Sequence, residues 1–229
     1  IGDVDGIPMS RPNVLVLLTD DQRFDTIAAL GNGKIHTPNL DRLARRGTSF
    51  TRAAIMGGSC GAVCMPSRAM LHTGRTLYRI AGQGETIDPA HVMLGEHLAR
   101  SGYATWACGK WHNGREAFAR SFGGGAEIFF GGMADHWNVP VYEYDPSGRY
   151  DATLPCCKDA FHGNELEHRQ ADHIRCGVHS STLLADAAVR ALREQSGEKP
   201  FFMYVAFLAP HDPRTMPQRF REMYDADRI

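Results

Sequence analysis

The chain has little of what marks several large classes of protein. No run approaches the roughly 18 uninterrupted apolar residues of a membrane-spanning helix; the longest apolar stretches cover 14–18 and 201–210. No charged segment followed by an apolar one opens the chain, so a signal peptide is not expected in it. The formal net charge is only −1 in 229 residues. Neither nucleic acid nor a membrane is therefore an expected partner, and any charge selectivity has to be local.

The cysteines are few and their spacing is uninformative. None of the six forms a Cys-x-x-Cys pair, and they lie at Cys60, Cys64, Cys108, Cys156, Cys157 and Cys176. A structural zinc site is poorly supported by that spacing. Disulfide pairing cannot be read from it either, so the residues themselves leave the cellular compartment open.

Apolar runs predict strands that are buried on both faces. Residues 13–19 are apolar between Pro12 and Asp20, which is typical of a strand inside a parallel sheet. Residues 103–108 and 201–208 predict two further strands of this kind.

Helices are predicted between these strands, each with a glycine as its stop signal, over 37–47, 66–71, 91–101 and 181–195. In the first helix, Thr37 is the expected cap, and Leu40, Leu43 and Ala44 are the expected buried side. Alternating strands and helices with short connections predict an α/β fold with a mostly parallel sheet. Residues 113–176 break the pattern with glycine clusters and little periodicity, and we expect an irregular insertion near the functional site.

Polar side chains follow each predicted strand. Asp20 and Asp21 follow the first, Lys110 and His112 the second, and His211 the third. Parallel sheets bind ligands at the carboxyl ends of their strands, so these side chains are candidates for one site. Two adjacent carboxylates suit calcium or magnesium, and one helix-capping aspartate with one solvated aspartate is the alternative. A surface pair is the alternative for Lys110 and His112, and a structural turn is the alternative for His211.

Cys64 lies between the first two strands, at the start of a predicted helix. A helix N-terminus favours an anionic group, and Arg68 lies one turn further on the same face. Simple core packing of the cysteine is the alternative. Together with the strand ends, the pattern favours a metal-assisted attack on a tetrahedral oxyanion ester.

These residues and the motifs around them resemble those of the type I sulfatases of the alkaline phosphatase superfamily. The match runs in order through NVLVLLTDDQR at 13–23, TPNLDRLARRG at 37–47, CMPSR at 64–68, TGR at 73–75, GKWH at 109–112 and APHDP at 209–213. The resemblance implies an alkaline-phosphatase-like sheet with helices on both faces. It also implies that residues 1–229 form the N-terminal portion of the sulfatase catalytic domain.

The family pattern assigns roles to individual residues. It implies that a maturation enzyme oxidises Cys64 to formylglycine, which requires Pro66 and Arg68 in the recognition signal. Metal ligands would be Asp20, Asp21 and the converted Cys64, usually for calcium, with magnesium as the alternative. The catalytic residues would be Cys64, Arg68, Lys110, His112 and His211.

The resemblance also sets expectations for the whole protein. The substrate would be a sulfated glycan or a small organic sulfate, and a periplasmic or secreted location is favoured. The later Asp-Asn-Gly or Asp-His-Gly element of the family is absent. We therefore expect the N-terminal part of a sulfatase, truncated before its C-terminal part, with an incomplete metal site.

Two other functions stay open at this stage. A phosphoester or phosphonate hydrolase of the same superfamily is the nearest, and a truncated chain without activity is the other. Within 113–176, His136 and Trp137 are candidate pocket-lining residues, with core packing as the alternative for Trp137.

Overall fold

The computed structural model describes residues 11–59, 63–159 and 161–228. The strands are β1 (Val14–Leu18), β2 (Ala104–Lys110), β3 (Gly125–Phe129), β4 (Pro140–Val141), β5 (Thr153–Cys157), β6 (Leu166–Gln170), β7 (His173–Ile174) and β8 (Phe201–Ala206). The helices are α1 (Pro38–Arg46), α2 (Cys64–Thr73), α3 (Leu94–Arg100), α4 (Arg115–Ser121), α5 (Ser180–Arg193) and α6 (Gln218–Arg221). None of the described helices has the length and apolar character required to cross a membrane.

The main sheet has four parallel strands in the order β1-β8-β2-β3. The last strand in the chain, β8, therefore lies between the first two. Its side chains alternate between two buried apolar clusters: Phe202 and Tyr204 enter one, and Met203 and Val205 enter the other. Helices α2, α3 and α4 cover the first face and α5 covers the second. The predicted α/β fold with helices on both faces is confirmed.

The first strand lies where the sequence predicts it, but the prediction that both of its faces are buried is wrong. Leu15 and Leu17 point to the face of the sheet that carries α5, opposite Met203 and Val205 on the next strand. They are nevertheless 44% and 53% exposed, because α5 packs over β2, β3 and β8 and leaves β1 uncovered. The edge strand is thus partly buried on one face, through Val14, Val16 and Leu18, and exposed on the other.

The first helix also differs from its prediction. It begins at Pro38, but the Thr37 side chain makes no cap hydrogen bond and instead donates to Oδ1 of Asp41 at 2.8 Å. Leu40 and Leu43 are exposed, and Asp41 is the buried residue. The helix packs on the short turn at 28–30 rather than on the sheet, and the buried Asp41 carboxylate accepts a hydrogen bond from the backbone of that turn.

The first part of 113–176 is more regular than predicted. It supplies α4 to one face of the core and β3 to the edge of the main sheet. The rest holds two small antiparallel ribbons, β4 with β7 and β5 with β6, joined by turns. The sequence obscured β3 because only five residues separate two glycine clusters there, at 123–125 and 131–132.

Candidate active site

The sheet order brings three polar clusters to one place. Because β8 lies between β1 and β2, the segments that follow all three strands meet at their carboxyl ends. The backbone amide of Asp20 donates to the carbonyl of Ala209 at 3.2 Å, which joins the first cluster to the third. Helix α2 begins at the same edge, with Cys64 as its first residue.

Cys64 lies between two groups from the end of β2. Its Sγ is 3.4 Å from Nδ1 of His112 and 3.5 Å from Nζ of Lys110, and the residue is 8% exposed. The intervening Trp111 points the other way and is fully buried in the core. The predicted alternation that places Lys110 and His112 on one side is confirmed by these contacts.

Arg68 is held rigidly one turn along α2. Its guanidinium donates to the Lys110 carbonyl, to the Tyr204 hydroxyl at 3.0 Å, and to Oδ2 of Asp20 at 3.3 Å. Only 2% of the side chain is exposed. These hydrogen bonds hold the planar guanidinium in one orientation. Arg68 therefore places a positive charge at the site without further rearrangement of its side chain.

Asp20 shares its carboxylate with two cations. Its Oδ2 lies 2.5 Å from Nζ of Lys110 as well as 3.3 Å from Nη2 of Arg68, and only 5% of the Asp20 side chain is exposed. Two cations for one carboxylate leave the cluster with excess positive charge before any other acidic group is counted. With Asp21 counted, carboxylates and cations balance at two each, and Lys110 remains in position to offset the charge of an anionic ligand.

Asp21 and His211 form the outer part of the site. Nε2 of His211 lies 3.6 Å from Oδ2 of Asp21. Nδ1 of His211 donates to the Asp212 carbonyl at 2.9 Å, which leaves Nε2 directed toward Asp21. His136 supports this arrangement from behind, with its Nε2 donating to the His211 carbonyl at 3.0 Å.

Two residues of the site adopt a backbone conformation that glycine normally occupies. Asp21 has φ 59° and His112 has φ 71°, which costs a residue with a side chain about 1–2 kcal/mol. Such strain is concentrated at functional positions. Its location here supports a functional role for both side chains.

His112 is an uncharged base near neutral pH. Burial first, and then the nearby charges of Lys110 and Arg68, lower its pKa to about 4. Its ring also lies against Gly132, where an added Cβ would approach Cε1 to 2.9 Å. A neutral imidazole in contact with Cys64 is able to accept a proton.

The donor atoms fit a hard divalent cation in part. Ligand atoms of Asp20, Cys64 and His211 all lie within 4.8 Å of one another, and Asp21 lines the same cavity of about 200 Å³ as Asp20 and Cys64. The two carboxylates are suitable ligands for calcium or magnesium. The thiol is not, because soft sulfur ligands prefer other metals, so position 64 fits only with oxygen in place of sulfur.

Comparison with known proteins decides the family. A family model described as Sulfatase matches residues 12–228. The chain belongs to the sulfatase family. Among curated sulfatases, the N-acetylgalactosamine-6-sulfatase of Canis lupus familiaris is 31% identical, over 88% of this chain and 40% of that protein. The arylsulfatase of Klebsiella aerogenes is 28% identical, over 98% of this chain and 49% of that enzyme.

Solved structures share the fold of this chain. The crystal structure of Ps i-CgsB in complex with k-i-k-neocarrahexaose has a TM-score of 0.69 at 26% identity, covering 95% of this chain and 50% of the other. The phosphonate monoester hydrolase of Agrobacterium radiobacter has a TM-score of 0.61 at 20% identity, covering 94% of this chain and 44% of the other, a likeness of fold. The chain spans about two fifths of the length of the first curated sulfatases it matches.

Sequence reasoning missed several residues that support the sulfatase site. Tyr204 reads as a core residue of β8, yet its hydroxyl accepts from Arg68. Asn113 follows the GKWH motif directly, and its Nδ2 donates to the carbonyls of Met65 and Gly84, at 3.0 Å and 2.6 Å. Its adjacency to the motif was the available signal. It holds the first turn of α2 in place.

The two residues predicted to line a pocket, His136 and Trp137, lie in different parts of the structure. His136 is buried behind His211 and accepts a hydrogen bond from Ser180 at Nδ1, at 2.7 Å. Trp137 is half-buried against the ring of His179 and lines a separate hollow. The first therefore positions a site residue rather than lining a pocket.

Another group of potential metal ligands occurs in the described residues. It consists of Glu127, Glu143 and His173, within 4.8 Å of one another. The buried carboxylate of Glu127 already pairs with Nε2 of His173 at 2.8 Å and with Nε of Arg175 at 3.9 Å. We interpret this group as an ion-pair network that ties the β4–β7 ribbon to β3.

Proposed function

We propose that this protein is a sulfuric ester hydrolase, which releases inorganic sulfate from a sulfated carbohydrate or another organic sulfate. One observation carries the proposal: Sγ of Cys64 lies within 3.5 Å of both Lys110 and His112, beside the two aspartates. Cations, a proton acceptor and carboxylates around one nucleophilic position suit a tetrahedral anionic ester. The names of the similar sulfatases support the same reaction class.

The nucleophile is formylglycine, made from Cys64 by a maturation enzyme that supplies the oxidant. A thiol at this position is a poor ligand for a hard cation, whereas an aldehyde hydrate presents oxygen. The hydrate supplies one hydroxyl for attack on sulfur and a second whose deprotonation expels sulfate.

The chain's own residues manage charge and protons. Lys110, fixed between Asp20 and position 64, offsets the negative charge of the sulfate group. Arg68 holds the oxygen at position 64 in its orientation through its fixed guanidinium. His112 accepts the proton of the second hydroxyl, because its imidazole is neutral and in contact with position 64.

His211 serves the leaving group. Its Nδ1 is engaged by a backbone carbonyl, so Nε2 is the nitrogen available to the ligand. In its doubly protonated form, with Nδ1–H donated to that carbonyl, the ring contacts the sulfate and gives its Nε2 proton to the departing alcohol oxygen. Calcium held by Asp20, Asp21 and the oxygen at position 64 would add positive charge next to the sulfate, and magnesium is the alternative.

Mass spectrometry tests the conversion directly. Expressed with a formylglycine-generating enzyme, the peptide that contains Cys64 should lose about 18 Da, because sulfur and two hydrogens leave and one oxygen enters. Cys64→Ala should abolish hydrolysis of an aryl sulfate, while Cys157→Ala, at an exposed cysteine, should not change it. An active Cys64→Ala protein would refute the nucleophile.

The runner-up is a phosphoester or phosphonate hydrolase, whose substrates are also tetrahedral oxyanions. Rates with an aryl sulfate, an aryl phosphate and an aryl phosphonate separate the two functions. Faster turnover of either phosphorus substrate would overturn the sulfatase proposal. If the chain carries formylglycine and hydrolyses none of the three substrates, the result would favour a truncated chain without activity.

A further inference from the structure

A large cavity opens beside the nucleophile and shares His112 with the catalytic cluster. Its volume is about 710 Å³, and its wall includes Met65, Glu85, His112, Arg115, Phe130 and Tyr142. Met65 follows Cys64 directly, and His112 contacts Cys64 through Nδ1. A group attached to an ester at position 64 can therefore extend into this cavity, which has the size of ordinary small-molecule sites.

Arg115 is held on the cavity wall by neutral partners. Its guanidinium carbon lies 5.5 Å from the ring centroid of Tyr142 and 5.9 Å from that of Phe130. Nη2 donates to the Tyr142 hydroxyl at 3.2 Å and to Oε1 of Gln170. Among the described residues, no carboxylate forms an ion pair with Arg115.

An arginine in this state is preorganised for an anion. The two aromatic rings and Gln170 fix the plane of the guanidinium, while its other N–H groups remain available. A carboxylate or sulfate that arrives in the cavity gains charge-assisted hydrogen bonds, and no internal ion pair has to be broken first.

The rest of the wall suits a sugar ring. The rings of Phe130 and Tyr142, 5.5 Å apart between centroids, present apolar surface, and Glu85 offers an acceptor for hydroxyl groups. The combination of apolar faces, the Glu85 carboxylate as a hydroxyl acceptor, and an arginine with no acidic partner among the described residues fits an acidic saccharide better than a plain aryl or alkyl group.

We propose that this cavity binds the sugar that carries the sulfate ester, and that Arg115 selects sugars with a second acidic group, a carboxylate or another sulfate. The proposal rests on the sulfatase function and narrows its substrate class. Arg115 acts here as a specificity-determining residue and takes no part in the chemical step.

Binding to the unconverted chain tests the proposal without turnover, since Cys64 still carries its thiol. Titration calorimetry in calcium buffer compares three ligands: N-acetylglucosamine 6-sulfate, glucosamine carrying N- and 6-O-sulfates, and a 6-O-sulfated disaccharide with a uronate. We expect at least one diacidic ligand to bind about tenfold more tightly than the monosulfate, as loss of a charged hydrogen bond predicts. The arm that gains affinity shows whether sulfate or carboxylate is selected.

Two variants assign the preference to the guanidinium. Arg115→Met should reduce the preference to about twofold or less, and Arg115→Lys should keep part of it, because lysine retains charge but not the planar fork. Arg169→Met is the matched control, since Arg169 lies in β6 and pairs with Glu167 on the surface. Unchanged urea midpoints would show that the variants remain folded.

Equal affinity for all three ligands, no binding of any, or a preference that survives Arg115→Met would each overturn the proposal. Hydrolysis of a small aryl sulfate by the converted chain is measured separately. If the converted chain hydrolyses the aryl sulfate but the preference for diacidic ligands is absent, the sulfatase function is supported and the proposed role of Arg115 is refuted. If the aryl sulfate is not hydrolysed, the sulfatase function itself fails.

Discussion

The ammonium of Lys110 lies 2.5 Å from Oδ2 of Asp20, and both side chains are almost fully buried. The two residues belong to the ends of β2 and β1, which do not pair with each other, because β8 lies between them. Their contact joins the proposed sulfate-binding cation to the proposed metal ligand. It therefore connects the stability of the site with its chemistry.

Lys110→Met should weaken both the fold and the reaction. The substitution leaves the buried Asp20 carboxylate with Arg68 as its cation, and removal of one partner of a buried ion pair costs about 3 kcal/mol of unfolding free energy. Urea unfolding measures this loss, and aryl sulfate hydrolysis should also be abolished. Lys158→Met is the control, because Lys158 pairs with Glu165 on the surface and its loss should cost about 0.5 kcal/mol or less. Equal stability of the two variants would contradict the prediction.

Calcium should stabilise the chain through Asp21. A ligand that binds only the folded state at about 100 times its dissociation constant adds about 2.7 kcal/mol. The thermal midpoint should rise with calcium, fall again with a chelator, and lose this response in Asp21→Asn. Magnesium in place of calcium tests the alternative ion.

Asp25→Asn provides the comparison for the calcium response. Asp25 lies in the same segment and pairs with Arg23 rather than facing the site. Its variant should respond to calcium like the parent chain. A calcium response that survives Asp21→Asn would remove Asp21 from the metal site.

Gly109→Ala should prevent folding or cost about 3 kcal/mol or more. Gly109 has φ 85°, and a Cβ there would lie 2.0 Å from the carbonyl oxygen of Ala206 on the neighbouring strand. Gly177→Ala is the matched control, because Gly177 has φ 77° and open space around it. It carries only the backbone strain, about 1 kcal/mol. The difference between the two unfolding free energies measures the close approach of β2 and β8, and a difference near zero would show that the strands can separate.

His72→Leu should make the chain less sensitive to acid. Burial, together with the charge of Arg68, lowers the pKa of His72 to about 3. Neither ring nitrogen has a hydrogen-bond partner among the described residues. The unfolded chain therefore binds more protons than the folded chain between pH 6.5 and 3. Stability from this residue is complete above pH 6.5 and falls as the pH decreases through that window.

The slope of the urea midpoint against pH, from 6.5 to 4, measures the effect. It should be shallower in His72→Leu, and the part that His112 contributes in the same direction should remain. His168→Leu, at an exposed histidine, should retain the slope of the parent chain. An unchanged slope in His72→Leu would mean that water or movement gives the ring a partner.

Local pattern was sufficient for most elements of the fold. Apolar runs located β1, β2 and β8 to within two residues of their ends, because strands buried by a sheet must be apolar. Two rows of residues four apart marked the buried side of α5 for the same reason: Leu183, Ala187 and Ala191, and Leu184, Ala188 and Leu192, of which only Leu192 is exposed, at 36%. Exposure was predicted poorly: Leu15, Leu17 and Leu43 carry the pattern of buried residues and are exposed, since pattern does not reveal which neighbour covers a side chain.

The sequence by itself determined the family, the α/β class and the list of side chains that would carry the chemistry, because short motifs such as CMPSR and GKWH are local in the chain. The tertiary structure decided how those side chains meet. Only the insertion of β8 between β1 and β2 brings His211 toward Asp21 and Lys110 toward Asp20. It also decided that Tyr204 and Asn113 support the site and that Arg115 has no acidic partner among the residues that the structure describes. Such contacts join residues distant in sequence, and their energies depend on packing, which no local pattern encodes.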